Sequence, residues 1–466
     1  MNAALDGIQL IGGWLPLIVD LLAVGALTLL IARVLLPVSD ASRDRRVGRL
    51  VGLATGAIAG VVVGLTLCWL LSDQLNLFDV SLTPISRAWV AGAFAAAGLA
   101  MAGIVLSVRG RRHPGRRRGL GLVATAAVGA TVFGLLAGTL GVNADFGQYT
   151  TLGSISGTSI AAPLPASVLA VQGAGAPGRR STAAGAARPL WRNAVDLGMP
   201  THGLVGSVTI PATVSHFAAR GAYVYLPSAA LLPHPVALPV LIMLAGQPGS
   251  PSNVFSSGQI ASVFDSFAAA HGGLAPIVVV PDQLGAPDRN PMCVNGSLGA
   301  SATYLTVDVP NWIRSHLTVE QSAAAWAIGG FSQGATCSIQ LGAAHPELFS
   351  AIIDISGQWA PKNGGLSQTI GIGFGGDAAA YRAAMPAAML AANAPYRNTV
   401  AVFGVGQLDS RYGPIAGRMT AAASSAGIRA SEAISPGTGH DWHTVQWVLR
   451  NALDPVYSQL GLLKIS

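Results

Sequence analysis

Charge is scarce in this sequence. Charged residues make up 10% of the 466 positions and hydrophobic residues 51%, whereas soluble globular chains carry roughly 25% charged residues. The mean hydropathy is correspondingly high, at +0.52. The shortage of charge argues against an ordinary soluble chain. It points to membrane-spanning helices, or to a large core of small residues such as the 58 glycines.

Lysine is almost missing and occurs only at Lys362 and Lys464, so arginine carries nearly all of the net charge of +7. Ten arginines fall in two short stretches, 43–49 and 109–118, and the rest of the chain is close to neutral. Basic residues gathered beside apolar segments are a membrane-topology signal. A nucleic-acid partner is therefore not expected.

Cysteine is also scarce, with three in the chain. The sequence has no Cys/His spacing of the kind that forms a structural zinc site, and it has no phosphate-binding loop. The sequence therefore predicts neither a metal nor an organic cofactor.

Four apolar runs occupy the first third of the chain, at about 15–36, 50–71, 89–108 and 120–142. Each is close to the ~20 residues that a helix needs to cross ~30 Å of hydrocarbon. The first run has no basic flank before it, so we expect a retained span rather than a cleaved signal peptide. Residues 1–142 are thus predicted to form a four-helix transmembrane domain.

The charges of the connecting loops predict the orientation of these spans. Arginine-rich stretches follow the first and third spans, whereas the loop between the second and third carries one Arg and two Asp. The positive-inside rule puts both arginine-rich loops in the cytoplasm. Both termini, and everything after the fourth span, are then expected outside the plasma membrane. Asp20, within the first span, is either a functional intramembrane acid or a side chain that reaches the interface.

The composition and the hydrophobic pattern of the sequence change after the fourth span. Residues 143–200 are rich in Gly, Ala, Ser, Thr and Pro, which predicts a flexible linker, parts of which could pack on either neighbour. From 201 to 466, short buried β-rich runs alternate with helical patterns, for example at 260–270 and 333–344. This alternation predicts an α/β domain with a mainly parallel sheet and helices on both faces.

The stretch GGFSQGA, at 329–335, contains Gly-x-Ser-x-Gly. Ser332 follows a predicted strand and opens a predicted helix, which is the setting of a nucleophile elbow. The tight turn needs small neighbours, and Gly330 and Gly334 provide them. The motif alone is weak in a Gly-rich chain, but in this setting Ser332 is the predicted nucleophile.

A hydroxyl nucleophile needs a base, and the base needs an orienting acid. In folds with a nucleophile elbow, the acid and then the His follow the serine along the chain. His440 lies in a Gly-rich loop before the last predicted helix and is the predicted base. Of the other two candidates, His345 is expected at the surface and His443 within the helix.

The acid is expected directly after the next-to-last strand. Asp409 follows the predicted strand NTVAVFGVG and is therefore the predicted acid, with Asp377 as the alternative. Asp354 is less suited because it lies within a strand. Asp441 is poorly placed to orient the ring of the histidine directly before it.

Acyl transfer also needs N–H donors for the developing oxyanion. One is expected from the backbone of Gln333, directly after the nucleophile. The other is expected from the loop after the early strand VLIML, where the N–H of Gln247 is the candidate and Ala245 and Gly246 are its neighbours.

Two cysteines fall in the predicted outer domain, where a disulfide is permitted. Cys293 lies in the loop after the run IVVV, and Cys337 lies about one helical turn past Ser332. We expect a disulfide that holds this loop beside the site, with two buried free thiols as the alternative.

The second half of the chain resembles the esterase D-type esterases of the α/β-hydrolase superfamily, a group that includes actinobacterial mycolyltransferases and membrane-tethered forms. The resemblance implies an α/β-hydrolase fold with Ser332 as nucleophile, His440 as base and Asp409 as acid. The sequence departs from many members at Ala245-Gly246, where they have His-Gly or Asp-Gly. The matching pieces run in family order over nearly the whole domain and are RGAYVYLP, LPVLIMLAGQPG, IVVVPD, YLTVDVPNWI, IGGFSQGA, IDISG and GTGHDW.

The sequence therefore predicts four transmembrane helices followed by an extracytoplasmic α/β-hydrolase domain. The predicted function is that of a membrane-anchored serine esterase or acyltransferase, acting through an acyl-enzyme on ester-linked lipid or glycolipid of the cell envelope. The lipid bilayer and the acyl-ester or glycolipid substrate are the expected partners. One alternative is a catalytically inactive relative that binds envelope components or acts as a scaffold. Another is a membrane module such as a transporter, which only Asp20 suggests.

Overall fold

A computed structural model describes residues 7–35, 43–109, 118–155, 160–174, 190 and 199–464. The chain divides into two compact units, Met1–Ser156 and Gly157–Ser466. Each unit has a hydrophobic core of its own. Most of the second arginine-rich stretch, predicted as a cytoplasmic loop, lies outside the described residues.

The first unit contains four long apolar helices: α1 (Trp14–Leu35), α2 (Arg43–Cys68), α3 (Pro84–Arg109) and α4 (Arg118–Phe146). A π-helical turn, Trp69–Gln74, continues α2. All four are long and apolar enough to cross a membrane. The prediction of four apolar helices of membrane-spanning length is therefore confirmed.

Small residues allow neighbouring helices of this unit to pack with their backbones almost in contact. A Cβ atom added at Gly60 of α2 would overlap the carbonyl oxygen of Phe94 in α3. A Cβ atom added at Gly98 of α3 would overlap the carbonyl oxygen of Gly56 in α2. Glycine is the residue that permits such an approach, and small residues are enriched at the contacts between membrane helices for this reason.

The second unit is built on a sheet whose strands alternate with helices. Eight strands form the main sheet in the spatial order β1-β2-β4-β3-β7-β8-β9-β10, and β5 and β6 form a separate two-stranded ribbon. In chain order the strands are β1 (Leu204–Val208), β2 (Ala222–Leu226), β3 (Val240–Leu244), β4 (Ile277–Val280), β5 (Asn295–Gly296), β6 (Gly299–Ala300), β7 (Trp326–Phe331), β8 (Ala351–Ile355), β9 (Val400–Gly406) and β10 (Arg429–Ser435).

The pairing of the main sheet is mainly parallel, as predicted. The six strands from β4 to β10 across the sheet are parallel to one another. The antiparallel pairs β1–β2 and β2–β4 lie at the other edge. Parallel strands end at the same edge of a sheet, so the loops after β3, β7, β8, β9 and β10 all emerge on one side.

The helices of the remaining chain are mostly short. They are α5 (Leu152–Ile155), in the first unit, and α6 (Ala166–Ala174), α7 (Pro251–Ser256), α8 (Ile260–Ala270), α9 (Ser301–Thr303), α10 (Val309–His316), α11 (Gln333–Ala344), α12 (Leu366–Phe374), α13 (Ala378–Ala383), α14 (Pro386–Ala392), α15 (Gly413–Ser425), α16 (Trp442–Asn451) and α17 (Asp454–Gln459), in the second. A π-helical turn, Tyr304–Asp308, joins α9 to α10.

The central strands are buried along their whole length, which explains their composition. Strands β3, β4, β7, β8 and β9 have every residue buried. Helices cover both faces of such a sheet, so apolar residues are favoured at consecutive positions rather than at alternate ones. Asp354, in β8, is the one carboxylate within these five strands.

Part of the segment predicted as a linker, 143–200, has a defined place. Helix α4 continues to Phe146. Leu164 is buried in the core of the second unit. Gln172 of α6 is also buried there, donating from Nε2 to the Ala230 carbonyl at 2.6 Å and accepting from the Thr318 N–H at 3.1 Å. The rest of the predicted linker includes 175–189 and 191–198, which lie outside the described residues.

Three helices between β8 and β9 were not predicted from the sequence. Helices α12, α13 and α14 are short and rich in Ala and Gly, so they lack an apolar stripe long enough to be recognised. Two successive glycines end α12, with φ of 61° at Gly375 and 91° at Gly376.

Replacing Gly98 with alanine is expected to destabilise the first unit, because the new Cβ would overlap the Gly56 carbonyl. Gly92→Ala on the same helix is the matched control, because a Cβ there meets no atom within 4 Å. In detergent, followed by helical circular dichroism, Gly98→Ala should lower the free energy of unfolding by about 1–3 kcal/mol. Equal effects of the two substitutions would contradict this role of Gly98.

Candidate active site

Ser332 occupies a sharp turn between β7 and α11. Its φ of 55° and ψ of −115° are unusual for a residue with a side chain, and strained backbone of this kind is characteristic of functional sites. The turn places Ser332 at the amino end of α11. Its hydroxyl group therefore lies at the sheet edge where the parallel strands end.

The two glycines of the Gly-x-Ser-x-Gly motif make this turn possible. A Cβ at Gly330 would overlap the backbone of Gly334, and a Cβ at Gly334 would overlap the carbonyl oxygens of Leu244 and Ala245. The first glycine therefore lets the chain fold back on itself. The second lets α11 begin against the loop that follows β3.

His440 brings its ring to the serine from the loop after β10. Its Nε2 atom lies 2.9 Å from the Ser332 Oγ atom. The ring is packed between two aromatic side chains, with centroids 4.9 Å from Phe331 and 4.4 Å from Tyr412. These contacts and the burial of His440, which is 5% exposed, hold the imidazole in one orientation.

Asp409 completes the hydrogen-bonded series from the loop after β9. Its Oδ2 atom lies 2.9 Å from Nδ1 of His440, and its Oδ1 atom accepts the backbone N–H of Tyr412 at 3.0 Å. A carboxylate against Nδ1 favours the tautomer with the proton on Nδ1. Nε2 is then free to accept a proton from Ser332, as a general base must.

The other predicted candidates have different partners. Asp377 caps α13 and accepts the N–H groups of Ala379 and Ala380. Asp441 caps α16 and accepts the N–H of Thr444. The carboxylate of Asp354 accepts the N–H of Gly357 at 2.8 Å. Among the histidines, His345 pairs with Glu347 and His443 is an exposed residue of α16.

The two predicted oxyanion donors lie on elements that meet beside the serine. Gln333 is the first residue of α11, where backbone N–H groups have no partner within the helix. Gln247 follows Gly246, and a Cβ built on Gly246 would lie 3.5 Å from the Cβ of Ser332. Within the described part of the chain, neither backbone N–H donates to a backbone carbonyl. Both are thus available to an incoming carbonyl oxygen.

A disulfide joins Cys293 to Cys337. It links the loop between β4 and β5 to the nucleophile helix α11, as expected. The side chain of Gln333 lies against it, with Nε2 at 3.1 Å from the Cys337 Sγ atom and 3.0 Å from Oδ1 of Asn290. The disulfide therefore borders the candidate site through Gln333.

Several residues around the site were not found from the sequence. Phe331 and Tyr412 hold the imidazole, and Asn290 holds the Gln333 side chain. Phe331 is a variable position of the Gly-x-Ser-x-Gly motif, and Tyr412 and Asn290 belong to no motif. Their positions beside Ser332 and Asp409 are the signals that point to Phe331 and Tyr412. Among the described residues, no group of three His, Cys, Asp or Glu side chains is placed to hold a metal ion.

A Ser–His–Asp hydrogen-bonded series at the carboxyl edge of a mainly parallel sheet is typical of serine hydrolases. The family model described as "Putative esterase" matches residues 218–447. The second unit thus matches that esterase family, and the matched residues include Ser332, Asp409 and His440.

The chain is also similar to individual proteins. An uncharacterized protein of Corynebacterium glutamicum is 40% identical over 178 residues, which cover 38% of this chain and 42% of that protein. The match therefore spans less than half of that relative. Among solved structures, a ferulic acid esterase is 18% identical, with a TM-score of 0.47, over 56% of this chain and 98% of its own. An S-formylglutathione hydrolase from Agrobacterium tumefaciens is 18% identical, with a TM-score of 0.46, over 57% and 99%.

Asp354 gives the stability of this domain a distinctive dependence on pH. Burial raises the pKa of its carboxyl group to about 7, and the hydrogen bond from Gly357 opposes this only in part. In the unfolded chain the pKa of an aspartate is about 3.9. Because the folded-state pKa is the higher one, stability is lost as pH rises from about 4, and the loss is complete above about pH 7.

Asp354→Asn removes this ionisation and keeps the acceptor for Gly357. The variant should be more stable than the wild type. The difference in the free energy of unfolding should grow between pH 5 and 8 and reach on the order of a few kcal/mol, as the pKa shift of Asp354 implies. Asp377→Asn is the control, because hydrogen bonds from backbone N–H groups lower the pKa of exposed Asp377. Its effect should have the opposite sign. A difference in melting temperature between wild type and Asp354→Asn that stays constant across this pH range would contradict the raised pKa of Asp354.

Proposed function

We propose that the protein is a membrane-anchored serine esterase or acyltransferase that acts through an acyl-enzyme on ester-linked lipid or glycolipid of the cell envelope. The observation that carries the proposal is the unbroken series from Ser332 Oγ to His440 Nε2 and from His440 Nδ1 to Asp409 Oδ2, at 2.9 Å for each contact. A scaffold or binding protein has no need for such a series.

In the acylation step, Nε2 of His440 takes the hydroxyl proton of Ser332 as Oγ attacks the ester carbonyl carbon. The carbonyl oxygen becomes an oxyanion, which the N–H groups of Gln333 and Gln247 receive. The C–O bond to the leaving alcohol then breaks, and the imidazolium returns its proton to that alcohol. Asp409 stabilises the imidazolium throughout without taking its proton.

The acyl group is then bound to Ser332 and passes to an acceptor hydroxyl. His440 removes the proton of that acceptor, and the same oxyanion donors serve the second tetrahedral intermediate. With water as acceptor the reaction is hydrolysis, and with a sugar hydroxyl of the envelope it is transfer. The residues are the same in both reactions, so the acceptor alone distinguishes them.

The four apolar helices of the first unit support the proposal that the substrate lies in or near the bilayer. Covalent connection to four apolar helices keeps the hydrolase domain close to lipid at all times. The arginine-rich stretches after the first and third spans favour an outward location of this domain. The Cys293–Cys337 disulfide agrees with that side, because disulfides persist mainly in oxidising compartments.

The nucleophile is tested by labelling the full chain in isolated membranes with a fluorophosphonate probe. Ser332→Ala should abolish labelling, and His440→Ala should slow it by at least about a hundredfold, because the base contributes ~10²–10⁴-fold to such reactions. His443→Ala is the matched control and should label at the rate of the wild type, since its ring lies on the exposed face of α16.

Two outcomes would contradict the proposed function. One is a folded wild-type protein that is not labelled. The other is labelling of Ser332→Ala at the wild-type rate, which would place the reactive group elsewhere.

A further inference from the structure

Gln283 is a buried amide in the loop that begins after β4. It is 0% exposed and has no part in the Ser332, His440 and Asp409 series. Burying a primary amide is unfavourable unless its polar atoms are hydrogen-bonded. The partners of this side chain therefore indicate why an amide occupies the position.

The Gln283 amide nitrogen contacts both elements that carry the oxyanion donors. Nε2 donates to the Ala245 carbonyl at 2.6 Å, in the loop that leads to Gln247. The same nitrogen donates to Oε1 of Gln333 at 3.0 Å. The nitrogen must be the atom that faces Ala245, because the carboxamide oxygen cannot donate to a carbonyl. One NH₂ group thus joins the loop after β3 to the amino end of α11.

The two elements that Gln283 joins are also held by other hydrogen bonds. Nε2 of Gln333 donates to Oδ1 of Asn290 at 3.0 Å. On the far side of the loop, Arg220 donates to the Gly249 carbonyl at 3.0 Å and forms an ion pair with buried Asp282 at 2.7 Å. The segment that contains Gln247 is therefore held at both of its ends, by Gln283 at Ala245 and by Arg220 at Gly249.

The two polar atoms of the Gln283 side chain differ in their hydrogen bonding. Among the described residues, its buried Oε1 atom has no hydrogen-bond partner. An unpaired buried acceptor is unfavourable. The two hydrogen bonds from Nε2, to Ala245 and to Gln333, are therefore the contacts that account for a glutamine at this position.

We propose that Gln283 is a positioning residue for the oxyanion site: it fixes the separation between the N–H groups of Gln247 and Gln333 without touching the substrate. Only a side chain with two N–H donors on one atom can hold both Ala245 and Gln333 in this way. The inference rests on the proposed esterase function, because it concerns the same tetrahedral intermediate. A small displacement of such donors is costly, since a misplacement of about 1 Å can reduce a rate ~10²-fold.

The test compares Gln283→Met and Gln283→Glu with a matched control, Gln340→Met, in the full chain purified in detergent. Gln340 is also a buried glutamine, at 1% exposure, but its Nε2 donates to the Ala384 carbonyl and to neither Ala245 nor Gln333. Glutamate keeps the shape of Gln283 but has at most one hydrogen to donate, so it cannot serve both acceptors. It provides a second variant should methionine prevent folding.

The measured quantities are kcat and KM for 4-nitrophenyl butanoate and for its thiono analogue, in which sulfur replaces the carbonyl oxygen. Sulfur is a weak hydrogen-bond acceptor, so the thionoester gains little from the oxyanion donors in any variant. Gln283→Met and Gln283→Glu should lower kcat for the oxoester by about ten- to a hundredfold, with KM nearly unchanged. The thionoester rate should fall by less than about threefold. Gln340→Met should leave the ratio of the two rates at its wild-type value.

Equal losses for both esters in folded Gln283 variants would overturn the positioning role and leave the esterase function in place. An unchanged oxoester rate in the same variants would do likewise. A wild-type protein that hydrolyses neither ester would overturn the proposed function together with this inference.

Discussion

The candidate site depends on one local constraint, the left-handed turn at Ser332. The turn requires the backbones of Gly330 and Gly334 to come together, and it requires α11 to begin against the carbonyls of Leu244 and Ala245. Any side chain at either glycine would push the helix away from the loop after β3. The same close approach that exposes the serine hydroxyl therefore also brings the two predicted oxyanion donors, on Gln333 and Gln247, to one side of it.

The rest of the site follows from the parallel sheet. Because β7, β9 and β10 end at the same edge, residues that follow them meet although they are far apart along the chain. His440 and Ser332 are 108 residues apart, and His440 and Asp409 are 31 apart. Around this edge, Phe331 and Tyr412 hold the imidazole, and the Cys293–Cys337 disulfide ties a neighbouring loop to α11. The sheet supplies the meeting point and the loops supply the chemistry.

Features governed by local pattern could be predicted from the sequence. The four apolar helices, the mainly parallel sheet and the helix after Ser332 each depend on a run of residues that is contiguous in the chain. Asp409 and His440 could be selected because chain order in this fold restricts the candidates. The role of Gln283 could not be predicted, because its partners Ala245 and Gln333 lie 38 and 50 residues away. Helices α12 to α14 were missed because alanine and glycine give no periodic signal.

In the proposed mechanism an acyl group passes through Ser332, and trapping that acyl-enzyme is the most direct test. The full chain would be mixed briefly with excess 4-nitrophenyl butanoate, quenched in acid, digested and analysed by mass spectrometry. We expect a butanoyl group on Ser332 in the wild type and none in Ser332→Ala. Release of 4-nitrophenol by the wild type, with the acyl group found on another residue, would contradict it.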